Sequence, residues 1–182
     1  MINKKKISIC SRTFYNNLDL RSELEKLFKN IKFNKSNKSL EGKNLVNFLK
    51  GSEIALVGLE KMNQKILCQL PDLKVIVKYG VGLDKIDLKY LKKKEIKFFH
   101  FPGFNRRSVS ELVLSYMLSI SRKLIDLNLL VKKNIWGQIT GNNLSKKKIG
   151  IIGCGFIGKD LISLLKPFKC KIYVNDIINI DD

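Results

Sequence analysis

The sequence predicts an α/β protein in which parallel strands alternate with helices. Through the first hundred residues, short apolar runs alternate with amphipathic helical stretches, which is typical of a parallel sheet covered by helices. A long stretch of helical periodicity follows, and a strand, a glycine turn, a helix and a second strand then occupy residues 148–175. We therefore expect a parallel sheet, a long connecting helix and the opening βαβ of a second domain.

The first part of the chain provides the expected sheet. Apolar runs of strand length predict strands at 6–10, 31–33, 53–59, 73–77 and 97–101. Helical spacing predicts helices at 18–29, 45–49, 64–70 and 88–94. The first of these helices places Leu20, Leu24 and Leu27 on one face, and Pro71 ends the third.

Residues 108–133 predict one long helix. Ser108 and Glu111 have the spacing of a capping box, in which two side chains accept backbone N–H groups at a helix start. Apolar residues then recur at helical spacing: Val109, Leu112, Val113, Tyr116, Met117, Ile120, Leu124, Leu127, Leu130 and Val131. Because a helix rises 1.5 Å per residue, this one would be ~38 Å long. We expect it to bridge two domains and to offer apolar surface to a partner subunit.

The most informative motif is the Gly-x-Gly-x-x-Gly turn formed by Gly153, Gly155 and Gly158. The first glycine permits a tight turn, the second lets the backbone approach a phosphate, and the third lets the helix pack close to the strand. The helix that follows starts with Phe156 and Ile157, and a helix start directs unpaired N–H groups and a partial positive charge at an anion. The motif therefore predicts a dinucleotide site rather than a purely structural turn.

Asp176 extends this interpretation to the ribose. It directly follows the second strand and lies 23 residues after Gly153. An acid about 20 residues beyond the glycine turn accepts hydrogen bonds from the ribose hydroxyls. Its charge would repel a 2′-phosphate, so the sequence favours NAD over NADP. The alternative is a turn or cap residue at a strand end.

The composition of the chain restricts the classes of partner and the cellular location that we expect. The net charge of +19 invites a nucleic-acid interpretation, but the cations are mostly Lys, are spread along the chain and do not alternate with aromatic residues. We therefore expect no nucleic-acid partner and a mild attraction for acidic small molecules. No apolar run approaches the roughly 18–20 residues of a membrane span, and no signal peptide is evident. We expect no membrane partner and a cytoplasmic location.

The cysteines and the histidine do not suggest a metal site. The 4 cysteines form no CxxC pair, and the chain contains 1 His. We expect no metal and mostly buried, reduced thiols.

Four motifs in one order resemble a single family. They are Lys78-Tyr-Gly-Val-Gly-Leu-Asp-Lys-Ile-Asp87, Pro102-Gly-Phe-Asn-Arg-Arg-Ser-Val-Ser-Glu111, Trp136 with Gly141, and the glycine turn with Asp176. The combination resembles the D-isomer-specific 2-hydroxyacid dehydrogenases, in a form nearest to phosphoglycerate dehydrogenase. The resemblance implies a flavodoxin-like substrate domain interrupted by a Rossmann NAD-binding domain. The expected domains are 1–104 (substrate domain), 105–134 (interdomain helix) and 135–182 (start of the NAD-binding domain).

The same resemblance implies an activity and a substrate site. The activity is hydride transfer between nicotinamide and a D-2-hydroxy acid, with NAD as cofactor and a small anionic 2-hydroxy or 2-oxo acid as substrate. Backbone N–H groups of Gly80, Val81 and Gly82 would bind the substrate carboxylate, Asn105 would lie at the cleft, and Val109 would lie near the nicotinamide. A glycine-rich loop after a strand does present amides to an anion, although a plain turn would use the same residues.

Charged residues next to the cleft motif have two interpretations. Arg106 and Arg107 either assist an anionic substrate or lie solvated before the helix. Glu111 is expected to cap the helix rather than to act as a catalytic acid.

No residue of the sequence matches the catalytic residues that the resemblance implies. That family uses an Arg, an acid and a His, which lie in the later part of the dinucleotide domain. His100 follows a strand in a different context, so we expect a packed or hydrogen-bonded His rather than a proton donor. We therefore expect a C-terminally truncated family member that is inactive alone. The alternative is a non-catalytic NAD(H)-binding or regulatory remnant.

Overall fold

The structure is a computed structural model that describes residues 3–179. The chain divides into two compact units, Met1–Pro102 and Gly103–Asp182. Each unit has its own apolar core.

Within residues 3–102, the first unit contains a parallel sheet of five strands. The strands are β1 (Asn3–Ile9), β2 (Phe28–Phe33), β3 (Ile54–Val57), β4 (Val75–Lys78) and β5 (Lys97–Phe99). Their order in the sheet is β2-β1-β3-β4-β5, and every pairing is parallel. This order is that of flavodoxin-like sheets, in which ligands bind outside the carboxyl ends of the strands. The predicted fold class is confirmed.

Helices cover both faces of this sheet. They are α1 (Arg12–Asn16), α2 (Leu18–Leu27), α3 (Gly42–Leu49), α4 (Gln64–Leu67) and α5 (Leu88–Lys93). Because side chains alternate along a strand, Ala55 and Val57 join one apolar cluster, whereas Leu56 joins the other. The short helix α1 was not predicted, since five residues give too little periodicity to detect.

In its described part, residues 103–179, the second unit contains a two-stranded parallel sheet and three α-helices. The elements are α6 (Arg106–Ser121), α7 (Leu124–Lys132), β6 (Lys148–Ile152), α8 (Phe156–Leu165), a short 3-10 turn (Lys166–Phe168) and β7 (Lys171–Asn175). One apolar core joins α6, α8 and the two strands, with Leu161 and Leu165 buried at its centre. The strand, helix and strand predicted around the glycine turn are therefore present.

The single long helix predicted at 108–133 is wrong, because the chain breaks it after Ser121. Lys123 adopts a left-handed conformation with φ +56°. The carbonyl of Ser121, which a continuous helix would pair with Ile125, instead accepts the backbone N–H of Asn142 at 2.7 Å. α6 lies in the second compact unit and packs in its apolar core.

The predicted capping box at Ser108 is wrong as well. Helix α6 starts two residues earlier, at Arg106, with Asn105 as its N-cap residue. Ser108 and Glu111 therefore lie inside the helix, where the Ser108 side chain cannot cap the helix start.

Candidate functional site

The glycine turn has the geometry that each of its glycines permits. Gly153 follows β6 with φ +90°, a conformation that other residues rarely adopt. Gly155 is the N-cap residue of α8, and a Cβ added there would meet nothing within 4 Å. A Cβ on Gly158 would overlap the carbonyl oxygen of Gly153, and it would lie 3.6 Å from Cγ2 of Ile151. The helix therefore packs against the turn and strand at a distance that only glycine allows.

The first turn of α8 presents unpaired backbone N–H groups. Among residues 3–179, the amides of Phe156 and Ile157 have no hydrogen-bond acceptor. The carbonyl of Ile157 accepts the hydroxyl of Ser110 at 3.2 Å, which ties α6 to the start of α8. Free amides at the positive end of a helix dipole suit a phosphate.

Asp176 lies beside this turn, directly after β7. Its Oδ2 accepts the backbone N–H of Cys154 at 2.5 Å, and its Oδ1 accepts that of Ile178 at 3.3 Å. The hydrogen bond from Cys154, followed by that from Ile178, holds the pKa of the Asp176 carboxyl below its ordinary value. A carboxylate has about four lone-pair positions, so further acceptor capacity is left for hydroxyl donors.

The residues predicted at the cleft and near the nicotinamide lie at the start of α6. Asn105 is the N-cap residue, but its side chain makes no cap hydrogen bond, and its buried Oδ1 has no partner. Val109 lies one turn further and is half-buried. Arg107 donates to Asp160 of α8 at 3.0 Å, whereas Arg106 lines a cavity of about 270 Å³ together with Phe156, Lys159, Asp160 and Ser163.

The first unit carries a second glycine loop, at the carboxyl end of β4. Gly80 has φ +116°, which requires glycine. Within the described part of the chain, the amides of Gly80, Val81 and Gly82 have no acceptor. His100 Nε2 lies 2.8 Å from the carbonyl oxygen of Val81. Because a carbonyl only accepts, Nε2 carries the proton, and the expectation of a hydrogen-bonded His at a strand end is confirmed.

Two buried charged residues beside this loop were not predicted from the sequence. Lys78 is 8% exposed, and its Nζ donates to the carbonyl oxygens of Gly58 at 2.7 Å and Tyr79 at 3.4 Å. Glu60 is 2% exposed and accepts the Gly58 N–H at 2.7 Å. Burial lowers the pKa of Lys78, and the charges of Asp84 and Glu60 oppose that shift. Lys78 immediately precedes the Tyr-Gly-Val-Gly motif, which was the one available signal.

Neither a metal site nor a membrane-spanning helix is present in the part of the chain that the structure describes. Across residues 3–179, no group of three His, Cys, Asp or Glu side chains is placed to hold a metal ion. None of the helices in the same range combines the length and the apolarity needed to cross a bilayer.

Comparison with known families decides the relationship. Residues 13–125, more than half of the chain, match the catalytic domain of the D-isomer specific 2-hydroxyacid dehydrogenases. The chain belongs to this family. Residues 114–181 of this 2-hydroxyacid dehydrogenase family member match the NAD binding domain of the same family, and they include the glycine turn and Asp176. The resemblance inferred from the motifs is confirmed.

Several curated relatives of the family member are reductases or dehydrogenases. It is 30% identical over 164 residues to D-3-phosphoglycerate dehydrogenase 2 of Saccharomyces cerevisiae, covering 85% of this chain and 34% of that protein. It is 32% identical over 160 residues to glyoxylate/hydroxypyruvate reductase A of Arabidopsis thaliana, covering 84% of this chain and 50% of that protein. The chain therefore spans between a third and a half of the length of these relatives.

Solved structures share the fold. D-lactate dehydrogenase from Aquifex aeolicus, complexed with NAD and lactic acid, superposes with a TM-score of 0.78 at 26% identity, covering 97% of this chain and 53% of that one. NAD+-bound 3-phosphoglycerate dehydrogenase from Entamoeba histolytica superposes with a TM-score of 0.73 at 24% identity, covering 98% and 56%. The latter comparison shows the fold alone.

Proposed function

We propose that this chain provides the NAD-binding turn and the substrate-carboxylate loop of an oxidoreductase acting on a D-2-hydroxy acid. The observation that carries the proposal is the pair of free amides at Phe156 and Ile157 next to the Asp176 carboxylate. One group suits a diphosphate and the other suits ribose hydroxyls, and they lie within one unit. The match to the family's NAD binding domain supports the same cofactor.

The residues present fit NAD. Gly153 and Gly155 leave the turn open to a diphosphate, and Gly158 allows α8 to pack close to that turn. Asp176 retains acceptor capacity for the ribose while disfavouring a 2′-phosphate. Bound NAD would supply the acceptor for a hydride from the substrate. On the protein side, the amides of α8 would hold the diphosphate in place, and Val109 is proposed to lie near the nicotinamide.

The substrate is proposed to be a small anionic 2-hydroxy or 2-oxo acid. The free amides of Gly80, Val81 and Gly82 form an anion-binding concavity, and the His100 hydrogen bond to Val81 holds this loop in place. Asn105 is proposed as a further substrate residue, since its buried Oδ1 lacks a partner. The phosphoglycerate dehydrogenases among the relatives support a phosphoglycerate-like acid.

Calorimetry with NADH and NADPH tests the cofactor proposal. We expect NADH to bind the wild-type chain more tightly than NADPH does. The Asp176→Asn substitution should weaken NADH binding about tenfold or more, because hydrogen bonds to a charged acceptor contribute about 1.5–3 kcal/mol. Gly150→Ala, a strand position with open space, is the matched control and should bind normally. Equal affinity of Asp176→Asn and wild type would contradict the role of Asp176.

A non-catalytic NAD(H)-binding protein is the second candidate, and one observation favours it. The chain has 1 His, and its Nε2 already donates to the Val81 carbonyl. We therefore propose that the 182-residue chain alone does not turn over substrate. NADH absorbance in the presence of glyoxylate or hydroxypyruvate tests this, and steady oxidation that depends on the acid would refute it.

We also propose that copies of the chain associate through α6 and α7. The two helices expose an apolar face: Leu112, Tyr116, Ile120, Leu124, Ile125, Leu129 and Val131. Light scattering during gel filtration should give a dimer mass for the wild type and a monomer mass for Ile120→Lys, with Asn128→Lys as the control for added charge. A monomeric wild type would refute the proposal. A cytoplasmic location remains a prediction.

A further inference from the structure

We propose that a cavity of the first unit binds an organic phosphate, with lysines holding the phosphate and apolar side chains contacting the organic part. The cavity has a volume of about 470 Å³ and lies beside α3, α4 and the loop before α5. Small-molecule sites occupy roughly 300–1,000 Å³, so the volume suits such a ligand. The cavity contains none of the residues assigned above to the cofactor or the substrate, and the inference therefore goes beyond the proposed function.

The first argument is the charge of the residues that line this cavity. The lining includes one acid, Glu41, and four lysines: Lys43, Lys61, Lys65 and Lys85. Among residues 3–179, no carboxylate lies within 4.0 Å of any of these four ammonium groups. A cleft lined by charges of one sign concentrates ions of the opposite sign, and a bound phosphate would offset the repulsion between the lysines.

The second argument is that the fold positions one of these ammonium groups before a ligand binds. The loop with Lys61 and the loop with Lys85 are joined by a parallel bridge between Met62 and Ile86. Within this bridge, the N–H of Met62 donates to the carbonyl of Lys85 at 2.8 Å. Lys85 Nζ donates to the carbonyl of Leu59 at 3.0 Å, and its other two N–H groups have no acceptor within residues 3–179. Those two N–H groups are therefore available to an anion.

The third argument is that the same cavity has an apolar part. Leu45 is fully buried and Ile66 is 8% exposed, and both join the core of the first unit. Leu59 also lines the cavity but is 59% exposed, so it offers apolar surface that a ligand could cover. Inorganic phosphate would contact the lysines without covering this leucine. The combination therefore favours a phosphate attached to an apolar group.

The test uses the full chain, phenyl phosphate as the probe and ¹H–¹⁵N NMR as the readout. Phenyl phosphate should shift the amide signals of Gly42 and Asn63, which line the cavity, and the shifts should saturate. Inorganic phosphate should need a higher concentration to produce the same shifts, because it lacks the apolar group. Phenol, which lacks the phosphate, should leave both signals in place.

A pair of double variants tests the lysines. Lys61→Gln combined with Lys65→Gln should weaken the affinity for phenyl phosphate about tenfold, because charge-assisted hydrogen bonds are lost. Both positions are exposed, so the fold should be retained. Lys89→Gln combined with Lys92→Gln removes the same charge from exposed positions of α5 and should bind like the wild type.

The possible results are decisive for the inference. If phenyl phosphate leaves the Gly42 and Asn63 amides unshifted, the cavity is not a ligand site. If both double variants lose affinity equally, or neither does, the cavity lysines do not hold the phosphate, and the inference is overturned. Equal affinity for inorganic phosphate would overturn the assignment of an organic ligand. None of these results bears on NADH binding, so the proposed function is tested separately.

Discussion

At the scale of single residues, Gly158 shows how closely the cofactor turn is packed. Its position opposite the Gly153 carbonyl leaves no space for a methyl group, whereas Gly150 and Gly155 have open surroundings. Glycines within one short segment therefore have different structural roles, and alanine substitutions can distinguish a glycine that is needed for close packing from one that is not.

Gly158→Ala should destabilise the chain by about 1–3 kcal/mol, because the added Cβ forces backbone atoms apart. Urea unfolding followed by circular dichroism measures the change. Gly150→Ala, whose Cβ would meet nothing within 4 Å, is the control and should change the free energy of unfolding by less than about 0.5 kcal/mol. Equal stability of the two variants would mean that the close approach of α8 is not needed.

The contribution of Asp176 to the free energy of unfolding should depend on pH only in the acidic range. Hydrogen bonds in the folded state lower the pKa of its carboxyl, so its contribution to stability is fully present above the unfolded pKa, about 3.9. That contribution is lost as the pH falls through the lower folded pKa. The difference in unfolding free energy between wild type and Asp176→Asn should therefore stay constant above about pH 5 and shrink below about pH 4. A difference that is lost near neutral pH would contradict this assignment.

The relative positions of site residues could be predicted from the sequence where the spacing of those residues along the chain determines how they are placed. The glycine turn and Asp176 lie within one strand–helix–strand unit, so their separation in sequence was enough to place them together. Lys78 and Glu60 were missed because a lysine or a glutamate gives no sign in sequence that the fold will bury it. Their positions depend on the pairing of the neighbouring strands β3 and β4 in the folded sheet.

At the scale of elements, the break between α6 and α7 depends on a distant glycine. A Cβ on Gly141 would lie 2.8 Å from the carbonyl oxygen of Ser121 and 2.9 Å from Cα of Arg122. The loop that contains Gly141 thus lies directly on the helix end, where Asn142 pairs with Ser121. The helical periodicity continues across the break, so local sequence could not reveal it.

Gly141→Ala should therefore destabilise the second unit by about 1–3 kcal/mol, since the loop must retreat from the end of α6. Amide hydrogen exchange should show faster exchange of the Asn142 amide than in the wild type. Gly137→Ala, where the Cβ would meet only a leucine methyl at 3.5 Å, is the control within the same loop. Unchanged protection of Asn142 in Gly141→Ala would contradict the role of this contact.

At the scale of the whole molecule, each of the two units has an apolar core of its own. The first unit buries both faces of its five-stranded sheet and includes fully buried Ile9, Leu45 and Ile76. The alternation of strands and helices that builds this unit is regular and was therefore predictable from the sequence. The assignment of α6 to the second unit was not predictable, since it depends on packing against α8.

The first unit should fold in isolation. A fragment of residues 1–102 should give dispersed NMR signals and a cooperative thermal transition, because its cores are complete within that range. Leu45→Ala in this fragment should cost about 2–5 kcal/mol by leaving a cavity. A fragment that shows no cooperative transition would mean that the unit depends on the rest of the chain.

The apolar face of α6 and α7 has a practical consequence when combined with the net charge of +19. At low ionic strength, mutual repulsion should oppose the association proposed for this face, despite exposed apolar side chains such as Trp136, which is 97% exposed. Added salt shortens the range of that repulsion to about 10 Å at 0.1 M, and contacts between apolar surface patches then become favourable. The proposed dimer should therefore become more stable as electrolyte is added, opposite to the behaviour of a charge-driven complex.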